Sequence, residues 1–246
     1  MQPPPTTPVT PALFFRRSAA GDDDLEPETG IFADYGPPRP YDLFLRRAFF
    51  DEDHYRLCQL LIVPSFESES AVYLTEEDGG PRRVVSRTMK TQVWASMTQA
   101  MRGACAGNSF TLDAASQGAA LAQLRAAVET RATEIDAASA DLVENACRSV
   151  LLRVRYPAQD LTRVVAHADG TTYHAGHWIP GNFLACTTWS PVAGTLSSEF
   201  VNMELALKAY AEAAPGARPK ILADLAAKAR QVLQRTKVLQ SRRPRT

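Results

Sequence analysis

The chain has 246 residues, enough for one large domain or two small ones with a buried core. Lysine plus arginine and aspartate plus glutamate both number 27, so the net charge is zero and no global field attracts nucleic acid or an anionic membrane. No segment approaches the roughly 18 continuous apolar residues of a membrane helix. Prolines fill the start, where a secretory signal would need a helix. These features predict a cytoplasmic protein without a membrane or nucleic-acid partner.

The first 41 residues differ in composition from the rest of the chain. They carry nine of the 17 prolines and the acidic run Asp22–Asp24, and such a stretch buries too little apolar surface to offset its ordering entropy. We therefore predict a largely disordered tail over residues 1–41. Residues 42–240 are predicted to form a single domain, and residues 241–246 a basic tail. Three aromatic residues are expected to anchor parts of the first tail: Phe32, Tyr35 and Tyr41.

An antiparallel sheet is predicted from the segments that follow. The apolar run Tyr55–Val63 is typical of a strand buried on both faces, and Pro64 closes it. Ser70–Thr75 and Arg83–Thr88 flank a glycine-containing turn and predict a hairpin. A short helix over Gln92–Arg102 is expected next.

Helix signals dominate from Ala119 to Tyr156, where neither glycine nor proline occurs. The pattern predicts a helical insertion over about residues 113–152, either as one helix or as two that meet near Thr133–Asp136. Its heptad-like face would offer a surface for contacts with another helix. Apolar residues recur in this region every seven positions, at Leu121, Val128, Ile135 and Leu142.

The cysteines are widely spaced and form no C-x-x-C pair. This spacing predicts neither a disulfide framework nor a zinc ribbon. Cys58 lies in an apolar strand and Cys147 on a helix face, so both are predicted to be buried as small hydrophobic residues. The four cysteines are Cys58, Cys105, Cys147 and Cys186.

Residues 163–191 hold three of the four histidines and two of the three tryptophans. A turn at Asp169–Gly170 predicts a hairpin in which His167 pairs with Thr172. His167 and His174 would then be diagonal neighbours on one face, within reach of a shared metal ion. Without a recognisable third ligand, we expect no metal and no cofactor.

Strand alternation divides the rest of this segment between two faces. Trp178 is predicted to share the face of His174, whereas Tyr173 and His177 lie on the more apolar face that meets the core. Trp189 precedes Ser190–Pro191, the predicted hinge from sheet to helix.

Two helices are predicted to close the chain, over Ser197–Ala213 and Lys220–Leu239, separated by Pro215–Gly216. Strands, helices, a hairpin and further helices follow one another in this order. The sequence therefore predicts an α+β fold, with an antiparallel sheet of about four to six strands packed against several helices.

The layout resembles a family of bacterial proteins without an assigned activity, over roughly Tyr55–Arg102 and Val150–Ala211. The resemblance implies an α+β body and no catalytic residue or cofactor. This chain departs from the family in its helical insertion and in its proline-rich start. Its motifs are Asp169–Gly170 with Tyr173–His174, then Thr188–Trp189–Ser190–Pro191, and the helix through Leu205 and Tyr210.

Three functional interpretations remain open. The first is a non-catalytic module that binds a protein partner, such as an antitoxin, immunity or adaptor protein, or that self-associates through its heptad-like helices. The second is a small hydrolase or metal-dependent enzyme with His167, Asp169 and His174 as catalytic residues. In the third, the aromatic cluster only packs the sheet against the last two helices. Three aromatic residues are candidates for binding a ligand: Tyr173, Trp178 and Trp189.

Overall fold

The computed structural model describes residues 25–27, 31–32, 40–50, 56–76, 80–93, 127–154 and 170–241. It is an α+β fold, as predicted. The strands are β1 (Glu26–Pro27), β2 (Arg56–Pro64), β3 (Ser70–Glu76), β4 (Arg82–Met89), β5 (Val128–Glu134), β6 (Thr171–Ile179) and β7 (Asn182–Trp189). The helices are α1 (Pro40–Phe49), α2 (Ala137–Leu151), α3 (Leu196–Glu212) and α4 (Arg218–Ser241), with a 3-10 turn over Pro215–Ala217 between the last two.

All strand pairings are antiparallel, and the order across the sheet is β1-β7-β6-β2-β3-β4-β5. The predicted strand before Pro64 and the predicted β3–β4 hairpin are confirmed. Six of the strands are full-length, at the upper end of the predicted number, and β1 adds two residues at one edge. The predicted helix over Gln92–Arg102 lies outside the described residues, apart from its first two.

The two faces of the sheet carry separate cores, which explains the apolar composition of β2. Leu60 and Ile62 pack towards α2 and α3, whereas Leu61 packs towards α1. Because both faces are covered, alternation of polar and apolar residues is lost in this strand. Helix α4 forms a further layer against α2 and α3.

Parts of the predicted N-terminal tail are packed on the body. Leu25 is buried in the core beside α2 and α3, and Phe32 lies edge-on against Phe50 and Phe183. Tyr41 donates a 2.8 Å hydrogen bond to Glu69. Anchoring by Phe32 and Tyr41 is therefore confirmed, and Tyr35 lies outside the described residues.

The helical insertion predicted over about residues 113–152 is wrong over Val128–Glu134, where β5 forms. Val128, Thr130 and Thr133 are β-branched, and pairing with β4 satisfies the backbone of this segment. The helix begins only after Asp136, whose side chain accepts a 2.9 Å hydrogen bond from the Ser139 amide. The heptad-like face that supported helix-mediated binding is therefore not continuous.

The predicted pairing of His167 with Thr172 is also wrong. β6 pairs with β2 along one edge and with β7 along the other, so neither edge at Thr172 is left for a strand over residues 163–168. The hairpin turn of this region is instead Pro180–Gly181, between β6 and β7. Gly181 takes a φ of 77°, which glycine adopts without strain.

Trp189, Ser190 and Pro191 form the predicted connection from sheet to helix. Ser190 has a φ of 37°, and its amide donates to the Thr171 carbonyl while its Oγ accepts from the Thr171 amide. These two bonds close the open end of the β6–β7 hairpin. Thr195 then caps the N-terminus of α3, and its Oγ1 accepts a hydrogen bond from the Ser198 amide.

Replacing Gly170 with alanine should lower the free energy of unfolding by about 1–3 kcal/mol. A Cβ there would lie 2.5 Å from Ser190 Oγ and 2.7 Å from the Trp189 ring. Gly216→Ala is the matched control, since nothing lies within 4 Å of its added Cβ. Urea unfolding would measure both variants, and equal stability of the two would contradict this account of Gly170.

The prediction that Cys58 and Cys147 are unbridged is wrong. Both are buried, as expected, but they form a disulfide with a Cα–Cα distance of 6.3 Å. The bridge joins β2 to α2 across 89 positions of sequence, a separation at which spacing rules carry no signal. Cys186 is buried and free of a disulfide.

Candidate functional site

The structure separates the residues predicted to form a site in the histidine-rich segment. His174, Trp178 and Trp189 lie on the sheet face that looks away from α2 and α3, whereas Tyr173 lies on the opposite face. His167 and Asp169 lie outside the described residues, so their catalytic role stays a prediction. Trp189 does not pack the sheet against the last two helices, because it is on the wrong face.

Trp178 is the most exposed of these aromatic residues, with 43% of its surface accessible. Its ring lies 5.3 Å from that of Phe183 in the facing strand, at an angle of 51°. This contact is a cross-strand aromatic pair, which stabilises the β6–β7 hairpin.

His177 is buried against the helices, as alternation predicted, with 1% exposure. Burial is the main cause that lowers the pKa of this imidazole to about 4, and the charge of Arg148 lowers it further. His177 is therefore neutral at physiological pH. Its Nδ1 has no hydrogen-bond partner among the described residues.

A concave surface follows β5, the last strand in the order across the sheet. A cleft of about 430 Å³ lies between β5 and the end of α3, and a second of about 350 Å³ continues beside it. Ala132 and Arg218 line both, so together they form one groove, which we call the β5 groove.

Ladder geometry shows which backbone groups of β5 face this groove. The amide of Ile135 bonds to the Arg82 carbonyl, and the amide of Lys90 bonds to the Ala127 carbonyl, so odd-numbered residues of β5 carry the bonds to β4. The N–H and C=O groups of Thr130 and Ala132 therefore point away from the sheet. No described strand pairs with this edge.

Tyr210 of α3 contacts the end of the groove at Glu134. The Tyr210 hydroxyl donates a 2.8 Å hydrogen bond to the outward carbonyl of Glu134. Burial is the main cause that raises the pKa of this phenol, so the hydroxyl keeps its proton. The contact closes one end of the edge and leaves Thr130 and Ala132 exposed.

Arginines border the groove and bind the last carbonyls of α3. Arg131 Nη1 donates to the Glu212 carbonyl at 3.1 Å, and Arg218 Nε donates to the Ala213 carbonyl at 3.1 Å. These contacts stabilise the helix C-terminus. Arg131 also donates from Nε and Nη2 to the Glu129 carboxylate, at 3.0 and 2.8 Å. A guanidinium has five N–H donors, so Arg218 can also bind an anion. Arg83 lines the second cleft.

The negative charge of Glu212 is compensated by neighbouring groups of the protein. Its Oε1 accepts hydrogen bonds of 2.7 Å from Ser86 and from Lys208. Partial burial disfavours its charge, but these bonds and the charges of Lys208 and Arg131 outweigh burial and lower its pKa. The charged residues that line the groove are therefore three arginines and two glutamates, and one of these arginines, Arg131, is already paired with Glu129.

A helical interpretation of this region hid one local signal for the strand that borders the groove. Val128, Thr130 and Thr133 are β-branched, and such residues favour a strand. The edge position of β5 depends on the order of strands in the sheet, which no local pattern encodes.

No helix among the described residues is both long and apolar enough to cross a membrane. Comparison with known proteins gave no match to the chain among family models, curated proteins or solved structures. The bacterial family suggested by the Asp-Gly and Trp-Ser-Pro motifs therefore has no support from a family model.

Proposed function

We propose that the protein is a non-catalytic binding module that accepts an extended, acidic segment of a partner protein beside β5. The segment would add a further strand to the sheet. An antitoxin, immunity or adaptor protein in a bacterium is a concrete form of such a module. The observation that carries the proposal is the outward-facing backbone of Thr130 and Ala132, together with the groove that Ala132 lines.

Strand addition suits this edge because the main-chain bonds of the added segment do not depend on its sequence. Proteins commonly protect exposed strand edges with proline, bulges or covering loops. β5 has no proline, and its register with β4 is unbroken over seven residue pairs. Within the described residues, only the Tyr210 contact at Glu134 covers the edge.

The charges of the groove favour an acidic occupant over a second copy of this chain. Arg83, Arg131 and Arg218 line the groove. Glu129 pairs with Arg131 and Lys208 pairs with Glu212, whereas Arg218 forms no ion pair with a described residue. Aspartate or glutamate in the added strand would meet guanidinium groups with bidentate geometry. Charges at such a rim mainly speed association and make it sensitive to salt.

Ala132→Pro should weaken binding of a strand-forming peptide by roughly tenfold or more, because it removes an outward N–H and places a ring in its path. The amide of Ala132 does not bond to β4, so the ladder within the protein should survive. Ala132→Val is the matched control: it keeps the N–H and favours a strand. Probes would be selected on the wild-type protein from a phage-displayed library of random peptides.

We expect the selected peptides to be rich in β-branched and acidic residues, and to bind wild type and Ala132→Val but not Ala132→Pro. Equal binding to Ala132→Pro, or a basic consensus, would refute the proposal. Light scattering of the peptide-free protein tests the competing occupant. A dimer that only Ala132→Pro dissociates would assign the edge to a second copy instead.

The cellular compartment of the protein is a further part of this proposal. We place the protein in the cytoplasm, where thiol reductants keep most cysteine pairs reduced. Cys58 and Cys147 would then spend part of their time as free thiols, and the core has to remain folded in that state.

A further inference from the structure

Three polar side chains meet at the centre of the core between the sheet and the helices. Cys58 comes from β2, Cys147 from α2 and Glu204 from α3, and each is fully buried. The two sulfurs and a carboxylate oxygen of Glu204 all lie within 4.8 Å of one another.

Glu204 is the unexplained member of this group. Its Oε1 lies 2.8 Å from Cys58 Sγ, but its Oε2 is buried without a hydrogen-bond partner among the described residues. A buried carboxyl oxygen without a partner is unfavourable for folding, and an apolar residue of similar size would avoid this cost. The unpartnered oxygen, on the carboxyl group that lies beside the two sulfurs, therefore indicates a ligand that it binds.

We propose that Cys58, Cys147 and Glu204 hold one Zn²⁺ ion when the two cysteines are reduced. Thiolate sulfur and carboxylate oxygen are common zinc ligands in proteins. In a tetrahedral site, zinc ligands are separated by about 3.4–3.8 Å. The three atoms already lie within 4.8 Å, so small side-chain rotations bring them to these separations.

The disulfide and the metal site exclude each other. A disulfide bond holds two sulfurs about 2 Å apart, whereas two zinc-bound thiolates stand almost twice as far from each other. The same three residues therefore have two states, and the redox state of Cys58 and Cys147 selects between them.

A two-electron reduction followed by zinc binding converts the disulfide state to the metal-bound state. A dithiol reductant gives two electrons and two protons to the disulfide, becomes a disulfide itself and leaves two protein thiols. Zinc then displaces both thiol protons, and any proton on Glu204, into solvent. A two-electron oxidant such as a peroxide reverses the sequence by forming the S–S bond, and zinc is released.

His177 is the nearest further donor indicated by the register. It lies on the helix face of β6. The last β2–β6 pair is Gln59–Gly176, so the next position in this register places His177 opposite Cys58. Its buried Nδ1 has no partner among the described residues. In the disulfide state His177 is not part of the 4.8 Å group, so zinc would have three protein ligands and one position for water or this imidazole.

The test uses the full chain, refolded from urea with a phosphine reductant and zinc, because the site is closed in the folded protein. Bound zinc is measured by mass spectrometry after gel filtration. We expect about one zinc per reduced chain and at least roughly tenfold less on the oxidised chain. Cobalt in place of zinc should show the thiolate-to-cobalt absorption band.

Matched variants separate the site from adventitious binding. Cys147→Ser should abolish the thiolate-to-cobalt intensity of a two-sulfur site, and Glu204→Gln should lower zinc affinity by roughly tenfold or more. Cys186→Ser, which changes a buried cysteine outside the group, should bind zinc like wild type. Circular dichroism checks that each variant is folded.

A reduced wild-type chain that is folded but binds no zinc would overturn the proposal. Zinc that persists in Glu204→Gln and Cys147→Ser but is lost in Cys186→Ser would also overturn it. Neither result bears on peptide binding at the β5 groove, which lies at the sheet edge, so the two proposals can fail independently.

Discussion

Reduction of the Cys58–Cys147 disulfide in a metal-free buffer should lower the free energy of unfolding by about 4–5 kcal/mol. The bridge closes a loop of 89 positions in the unfolded chain. Breaking the bridge opens this loop, so the conformational entropy of the unfolded chain increases. For a chain of this length the loss corresponds to a fall in melting temperature of roughly 10 °C or more.

Urea unfolding with EDTA, with and without a phosphine reductant, measures this loss directly. Cys186→Ser should lose as much stability on reduction as wild type, because Cys186 is outside the bridge. A Cys58→Ala/Cys147→Ala double variant should be insensitive to the reductant. Unchanged stability of wild type on reduction would show that the bridge does not constrain the unfolded chain.

Zinc links this measurement to the proposed metal site. A ligand that binds only the folded state stabilises it in proportion to the logarithm of its concentration over the dissociation constant. Added zinc should therefore restore part of the lost stability to the reduced wild type, and much less to Glu204→Gln. The oxidised protein should not respond.

Elements whose signals are local could be predicted from the sequence. The apolar run before Pro64 and the turn between β3 and β4 encode a strand and a hairpin by themselves. The stripe of apolar residues after Thr195 encodes α3 in the same way, and its cap is present in the structure. These predictions depend on neighbours within a few positions, and for that reason they hold.

β5 was mispredicted because two patterns overlap in it. Val128 and Ile135 stand seven residues apart, as in a helix, but Val128 packs towards α1 and Ile135 towards the other core. Only the assembled sheet shows that the two residues serve different faces. The same holds for the groove, since Arg131 and Arg218 meet at its border from positions 87 residues apart.

The core cluster could not be predicted for a related reason. Its three residues lie in three different elements: Cys58, Cys147 and Glu204. The sequence neighbours of each give no sign of a polar cluster. Glutamate within a helix normally indicates a solvent-exposed position. Its burial follows from the packing of α3 over β2 and α2, which no single segment specifies.

The oxidised protein should lose stability as the pH rises from 6.5 to 8.5, because of Glu204. Burial of this carboxyl raises its pKa from the ordinary 4.5 to about 8. Between these values the folded state holds a proton that the unfolded state has released. The resulting stability is fully present below pH 4.5 and is lost as the pH rises through 8. His177 titrates below 6.5 and shifts stability in the opposite sense, so this window isolates Glu204.

Glu204→Gln is the matched variant, because an amide has almost the same shape and does not ionise. Wild type should lose on the order of 2 kcal/mol between pH 6.5 and 8.5 relative to Glu204→Gln, measured by urea unfolding with EDTA and without reductant. Equal slopes for the two proteins would mean that Glu204 is ionised when buried. A disulfide sulfur carries no proton, so the 2.8 Å contact with Cys58 is a hydrogen bond only when the neutral carboxyl of Glu204 donates it. Ionisation would remove that bond and leave a buried charge, so both effects act against the folded state as the pH rises.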